Sequence, residues 1–421
     1  MSDAATPHPA VQTALAQHRI SRAAAMLPVH QAFRWLHLHQ PQLRQWQMDL
    51  LAIPAPPFAE QQRAAWFIER FRALGLDNLH IDEEGNAIGE FGGGERKSSE
   101  SKFLLLSAHL DTVFPANTPS TPVEDGSRIL CPGACDNAAG LTALLGILAA
   151  LRTAAIEPPH PILFVANVGE EGEGDLRGMR YLFERGPYRD HITAAIALEG
   201  SGTAVAVTRA LGSRRYRVSI TGPGGHSWSD SGRPNPILLL ARGLLAIEDC
   251  DLTSNPDAAR TTLSAGQISG GTSVNSIPAA AWVTLDLRST NPAALATLSQ
   301  RVEQTFEELV RQHNVRSEPG NQVQLAIDCI GDRPAASLSE NSPLLHSLRA
   351  VDRHLGLRSE FRVGSTDANL PLSLGIPALA IAAGGTGGGI HTLEEWYDPT
   401  GREIALRRIL LLTLDMAQSI L

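Results

Sequence analysis

Leu104-Leu105-Leu106-Ser107-Ala108-His109-Leu110-Asp111 begins as an apolar run and ends on a histidine with an aspartate two residues later. A short apolar run bounded by polar residues reads as a buried strand. In open α/β sheets, chemistry gathers at the carboxyl ends of such strands. A metal-binding histidine commonly gives its second ring N–H to a carboxylate, which sets tautomer and orientation. His109 and Asp111 fit that pair. The plainer reading is a strand end carrying two solvated polar residues. The choice between them rests on whether other stretches repeat the pattern.

They do. Cys135-Asp136-Asn137-Ala138-Ala139-Gly140 precedes an almost wholly apolar segment, Asn137 to Leu151. That segment reads as a buried helix, and Asp136 stands at its N-terminus, where Asp is also an ordinary cap. Val168-Gly169-Glu170-Glu171-Gly172-Glu173-Gly174 follows a second apolar strand, Pro161 to Val168. Crowding two carboxylates is costly unless a cation or proton neutralises them; the alternative is a charged turn. Leu198-Glu199-Gly200 ends a third strand, and Gly389-Ile390-His391-Thr392 follows a fourth. In a twisted parallel sheet these ends converge on one rim. Two imidazoles among several carboxylates suit zinc, cobalt or manganese. Two metals sharing a carboxylate is the arrangement that clamps a nucleophilic water.

Working outward, residues 1 to about 27 read as a loosely docked arm. Val29 to Leu51 has apolar residues near helical spacing, with Pro41 breaking it. His37 and His39 do not share a helix face and read as surface or packing residues. Glu60 to Leu76 is amphipathic, and Leu79 to Phe91 alternates about Glu84-Gly85-Asn86, a hairpin signal. Pro115 to Arg128 reads as a loop, Arg177 to Glu184 as a helix and Thr193 to Leu198 as a strand. Strands alternating with helices predict an α/β fold: a mixed, mostly parallel sheet sandwiched by helices. From Gly212 the order becomes β-α-β-β-α-β, a ferredoxin-like unit. The first pattern resumes near Pro334 and ends in a helix, Glu403 to Ile420. The expected organisation is one domain from 1–211 and 333–421, with a second inserted at 212–332. Gly384 to Gly389 has neither P-loop nor dinucleotide spacing and reads as a pliable loop at the site.

At 421 residues, two domains are the natural expectation. The net charge of −9 argues against nucleic acid or an anionic membrane as partner. Cys131, Cys135, Cys250 and Cys329 are too scattered for a disulfide scaffold and read as reduced, partly buried thiols. Met1 to Met26 lacks a secretory apolar core, and no stretch is long enough to span a bilayer. These features predict a cytoplasmic, soluble protein.

The set His109-x-Asp111, Asp136, Glu170-Glu171, Glu199 and His391 resembles the M20 family of metallopeptidases, of the peptidase T, carboxypeptidase G2 and aminoacylase-1 type. The motif order covers nearly the whole chain, and the inserted domain falls where that family has its lid. The resemblance implies that His109 and Glu199 hold one metal ion, and His391 and Glu171 the other. Asp136 would bridge both. Glu170 would be the general base and Asp111 would orient His109. Two zinc ions are implied, with cobalt or manganese as alternatives.

In the inserted domain, Thr221-Gly222-Pro223-Gly224-Gly225-His226-Ser227 resembles the family segment whose histidine stabilises the oxyanion, commonly in the partner subunit's site. Gly271 to Pro278 and Asp286-Leu287-Arg288-Ser289 match further family elements. They imply that Arg288, helped by Asn275, grips a substrate carboxylate; a strand-end salt bridge is the plainer role for Arg288. Gly364-Ser365-Thr366-Asp367 resembles the segment lining the substrate, which implicates Thr366. A homodimer through the lid is implied as well, since an exposed strand edge invites pairing.

Two departures stand out. Asn137 follows Asp136 where many relatives have a second aspartate, and the family's cis peptide would fall between them. Glu199 stands where aminopeptidase-type relatives often have aspartate. That favours carboxypeptidase or N-acyl amino-acid hydrolase chemistry, whereas whole-chain similarity favours peptidase T. The expected function is amide hydrolysis in small peptides or N-acyl amino acids with a free carboxylate. A strict deacylase is the alternative, and a silent binding or scaffold protein the remote one.

Overall fold

The structure is a computed structural model that describes residues 9–94, 101–248 and 260–419. The chain divides into two compact units: Met1–Ala210 with Ser337–Leu421, and Leu211–Ala336. The second boundary falls beyond residue 332 because strand Gln324–Arg333 runs past it.

The larger unit is built on a mixed sheet. Its strands run in the order Asp77–Ile81, Ala87–Phe91, Ile162–Asn167, Phe103–His109, Ile192–Leu198, Ala378–Ile381 and Val205–Ala210. The four central strands from Ile162–Asn167 to Ala378–Ile381 are parallel to one another, and the strands flanking them, Ala87–Phe91 and Val205–Ala210, pair with them antiparallel. Phe103–His109 and Ile162–Asn167 are buried along their whole length, as strands covered on both faces must be. Helix Ala138–Thr153 is buried from Ala138 to Leu151. It packs on the sheet and meets helices Leu27–Leu38 and Gln40–Leu51. Each of its buried leucines contributes about 1.5–3 kcal/mol relative to exposure.

Several expectations change here. The N-terminal arm is a docked helix, Pro9–Ala24, within its described residues; residues 1–8 lie outside them. Ala16, Ile20 and Ala23 are buried, and Arg19 grips Asp415 with two bonds of 2.8 and 2.9 Å. Its small apolar residues hid a packing face that periodicity alone did not reveal. Pro41 does not end a helix but starts one, since the first helical turn needs no N–H from it. His37 pairs with Glu403 and His39 stacks on Trp35.

The expected loop at 115–128 holds strand Val123–Asp125, which pairs with Arg128–Leu130. These join Trp396–Asp398 and Thr386–Gly388 in a small four-stranded sheet. The glycine run 384–389 is therefore close-packed rather than pliable. A Cβ on Gly387 would lie 2.5 Å from Cys135 Sγ, and one on Gly385 would lie 2.4 Å from the Asp398 carbonyl.

The smaller unit has strands in the order Thr261–Gly270, Ala280–Ser289, Gly212–Thr221 and Gln324–Arg333, all antiparallel. With helices Pro236–Glu248 and Pro292–Arg316 it forms the ferredoxin-like unit. Val218, Ile220, Val283, Leu285, Leu240, Val302 and Phe306 form its core. Cys131 and Cys135 are buried free thiols and Cys329 is exposed; Cys250 and Ile420 lie outside the described residues. No helix among the described residues is long and apolar enough to cross a membrane.

Candidate metal centre

His109 ends its strand fully buried. Its Nε2 lies 3.1 Å from Asp136 Oδ1 and 3.3 Å from Glu199 Oε1. His391 Nε2 lies 3.1 Å from Asp136 Oδ2 and 3.0 Å from Glu171 Oε1. Asp136 thus turns one oxygen toward each histidine. Donor atoms of His109, Asp136 and Glu199 fall within 4.8 Å of one another, as do those of Asp136, Glu171 and His391. The same holds for His109, Glu170 and Glu171, so distance alone also admits Glu170 as a ligand.

Local folding explains these positions. Asn137, not Asp136, caps helix Ala138–Thr153: its Oδ1 accepts from Gly140 N at 3.1 Å and from Gly200 N at 3.2 Å. Its Nδ2 donates to Leu198 O at 2.9 Å, which ties the Asp136 turn to the Glu199 strand. Asp136 is left free of capping. The Asp136–Asn137 peptide is cis.

The Glu170–Glu171 turn folds tightly. A Cβ on Gly174 would lie 2.5 Å from Gly169 Cα, and one on Gly169 would lie 2.5 Å from the Arg177 stem. Arg177 is itself fixed by Glu60 Oε1 and Glu84 O, both at 2.6 Å.

Asp111 has a larger task than its sequence position suggested. Its two oxygens accept from Glu170 N at 3.0 Å and Glu171 N at 2.7 Å. His109 Nδ1 hydrogen-bonds to the Asp111 backbone carbonyl at 3.1 Å, while the nearest carboxylate oxygen is 3.6 Å away. The orientation of His109 therefore comes chiefly from main chain, and the side chain mainly pins the two glutamates.

Electrostatics mark a site with excess negative charge. Burial alone would push Asp136 up, but His109 and His391 outweigh it and hold the carboxyl far below its ordinary range. Burial, with help from Asp136 and Asp367, pushes Glu199 up to about 7 against the pull of His109. Hydrogen bonds to Asp136 and Glu171 raise His391 to about 10 despite burial. His109 is also raised: burial opposes its charge, but Glu199, Asp111 and Asp136 favour it. Each imidazole thus stands where a positive charge is favoured. Glu199 Oε2 is buried without a hydrogen bond, and Asp136 Oδ1 meets only His109 Nε2. Such oxygens are costly unless something positive faces them, and the mixed N/O donor set suits divalent ions. The residues fit a metal centre.

Thr366 is buried, its N–H donating to Asn369 Oδ1 at 2.9 Å. Its neighbour Asp367 accepts from Asn167 at 2.9 Å and acts on Glu199. The remaining candidates lie in the smaller unit. His226 and Ser276 face each other across a two-residue ladder, and Ser227 N donates to Asn275 O at 3.0 Å. His226 Nδ1 accepts from Trp228 N and Ser229 N at 3.2 and 3.3 Å. Arg288 Nε donates to Asp286 at 2.6 Å, the strand-end pair named above as its plainer role.

Glu395 was missed. It is buried and accepts three backbone N–H groups of the turn leading to Asp136. Nothing in Thr392-Leu393-Glu394-Glu395-Trp396 distinguishes it from a solvated acid.

Acids and imidazoles gathered past the strand ends of a mostly parallel sheet make a site suited to divalent ions. A family model described as peptidase family M20/M25/M40 matches residues 105–413, and the chain belongs to that family. A relative in Mycobacterium tuberculosis, named putative succinyl-diaminopimelate desuccinylase DapE, is 26% identical over 340 residues, covering 80% of this chain and 88% of that one. A tripeptidase structure from Staphylococcus aureus superposes with a TM-score of 0.71 at 22% identity, over 90% of this chain and 99% of that one. The aminopeptidase PepT from Bacillus cereus gives 0.69 at 19% identity, over 90% and 99%.

Proposed function

We propose that the protein hydrolyses an amide bond in a small peptide or N-acyl amino acid that carries a free carboxylate. The observation that carries this reading is the carboxylate of Asp136, whose two oxygens face His109 and His391 at 3.1 Å each. His109 with Glu199, and His391 with Glu171, would each hold one divalent ion, with Asp136 shared; the donors suit zinc, and cobalt or manganese also. When bound, such ions supply Lewis acidity that makes a water acidic and polarises the scissile carbonyl.

Glu170 takes the proton from the attacking water and passes it to the leaving nitrogen. Asp111 keeps Glu170 and Glu171 in place through their N–H groups. Because His226 Nδ1 accepts two backbone N–H groups, its ring proton sits on Nε2. That suits it to donate to a developing oxyanion. Arg288 and Asn275 recognise the substrate carboxylate, and Thr366 contributes to the substrate surface. The inserted unit serves as lid and dimerisation element. Strand Thr261–Gly270 ends its sheet and is largely exposed, an edge open to pairing in a homodimer.

A strict N-acyl amino-acid deacylase is the second reading. Glutamate at position 199 and a relative named as a desuccinylase favour it. The test is a panel of di- and tripeptides, N-acetyl and N-succinyl amino acids offered to metal-free protein and to protein reloaded with zinc, cobalt or manganese. Turnover that appears on reloading supports the proposal, and the preferred member separates the readings. No turnover of any member by the reloaded protein would sink it.

A further inference from the structure

Glu395 is 1% exposed, and its carboxylate is directed at a single turn. Oε1 accepts the N–H groups of Cys135 and Asp136, both at 2.8 Å, and Oε2 accepts that of Gly133 at 2.9 Å. Its backbone carbonyl accepts Cys131 N at 3.1 Å. The 131–137 turn is neither helix nor strand, so these buried N–H groups have no ladder to satisfy them. A carboxylate is the strongest side-chain acceptor they could meet.

The location of Glu395 matters as much as its bonds. It lies four residues after His391, in a loop closed by Thr392 N on Gly389 O at 2.9 Å. Trp396, the next residue, pairs with Leu130 just before the turn. One side chain therefore ties the segment carrying His391 to the segment carrying Asp136. His391 itself has a left-handed backbone, φ 65°, which a non-glycine residue keeps only when its surroundings enforce it.

We propose that Glu395 is a positioning residue for the metal centre: it holds the backbone of the Gly133–Asp136 turn so that Asp136 presents one oxygen to each histidine. The proposal rests on the reading of Asp136 and His391 as metal ligands. Glu395 touches neither ion nor substrate and acts through the turn.

The test is Glu395→Gln, which keeps one acceptor oxygen but turns an NH2 group toward the turn's N–H donors. Metal-free protein is titrated with zinc by calorimetry against a competing chelator, and with cobalt to record its visible spectrum. Affinity is expected to fall about 10–100-fold, as for other residues that support ligands, with an altered cobalt spectrum. Asp415→Asn, which breaks a buried pair elsewhere, serves as the structural control. It should lower thermal stability and leave affinity and spectrum unchanged.

Wild-type affinity and spectrum in E395Q would overturn the proposal, provided Asp136→Ala loses the metal. If Asp136→Ala also binds as wild type, the assignment of the metal centre itself falls. Should E395Q fail to fold, hydrogen exchange on the unmodified metal-free protein decides. Slow exchange across residues 131–137 supports the clamp, and exchange at open-loop rates overturns it.

Discussion

Asp111 Oδ2 accepts the backbone N–H of Glu171 at 2.7 Å, and its other oxygen takes the N–H of Glu170. One buried side chain thus sets the height of both glutamates. Asp111→Asn keeps one acceptor and points an NH2 group at the other N–H. We expect kcat to fall about 10–100-fold, with weaker metal retention. Steady-state kinetics with metal analysis of the purified variant would check this. Wild-type kcat would show that the clamp is dispensable.

Glu170→Ala should lower kcat about 10²–10⁴-fold, the usual contribution of a general base. Metal content should stay at the wild-type level. Because Glu170 also lies within ligand distance of His109 and Glu171, loss of metal in this variant would reassign it from base to ligand.

Gly387→Ala places a methyl group 2.5 Å from Cys135 Sγ, beside Asp136. Overpacking of this kind costs about 1–3 kcal/mol. A lower urea midpoint together with weakened zinc binding is expected, since the strain falls on the residue preceding Asp136. Unchanged stability would mean that the small sheet gives way easily.

Asn137→Asp replaces the Nδ2 donor to Leu198 O with an acceptor. A buried carbonyl left facing a carboxylate should cost roughly 1–3 kcal/mol near neutral pH. Denaturant unfolding measures it. Equal stability would show that this bond contributes little to joining the Asp136 turn to the Glu199 strand.

His346 gives a pH dependence away from the site. Burial, then the charge of Arg349, lowers its pKa below the ordinary 6.5. The folded ring therefore stays neutral where the unfolded ring takes a proton. Below about pH 6.5 the unfolded state binds more protons, so stability falls as pH falls, by at most about 1.4 kcal/mol per pH unit for one group. The His346→Gln variant should lose less stability between about pH 7 and pH 5.5 than wild type does. Parallel curves for the two proteins would refute the contribution.

How much of this was legible in the sequence depended on the range of the interaction. Phe103–His109 and Ala138–Thr153 announce themselves because burial on all sides demands unbroken apolar runs. The ferredoxin-like order was equally plain from alternation and helical spacing. Helix Pro9–Ala24 was not, because alanines and a few scattered larger residues make a face only once helices Pro343–His354 and Arg402–Ser419 stand against it.

The sequence by itself determined the sheet, the inserted unit and the group of acids and imidazoles at the strand ends, because periodic burial and adjacency to strand ends are local properties of a chain. Tertiary structure alone decided that Asn137 rather than Asp136 caps the helix, that Asp111 serves two glutamates, that the glycines at 385 and 387 are close-packed, and that Glu395 holds a turn some 260 residues away. The physical reason is that a buried polar group is defined by its partner, and the partner of a side chain aimed at distant backbone N–H groups leaves no mark on the residues beside it.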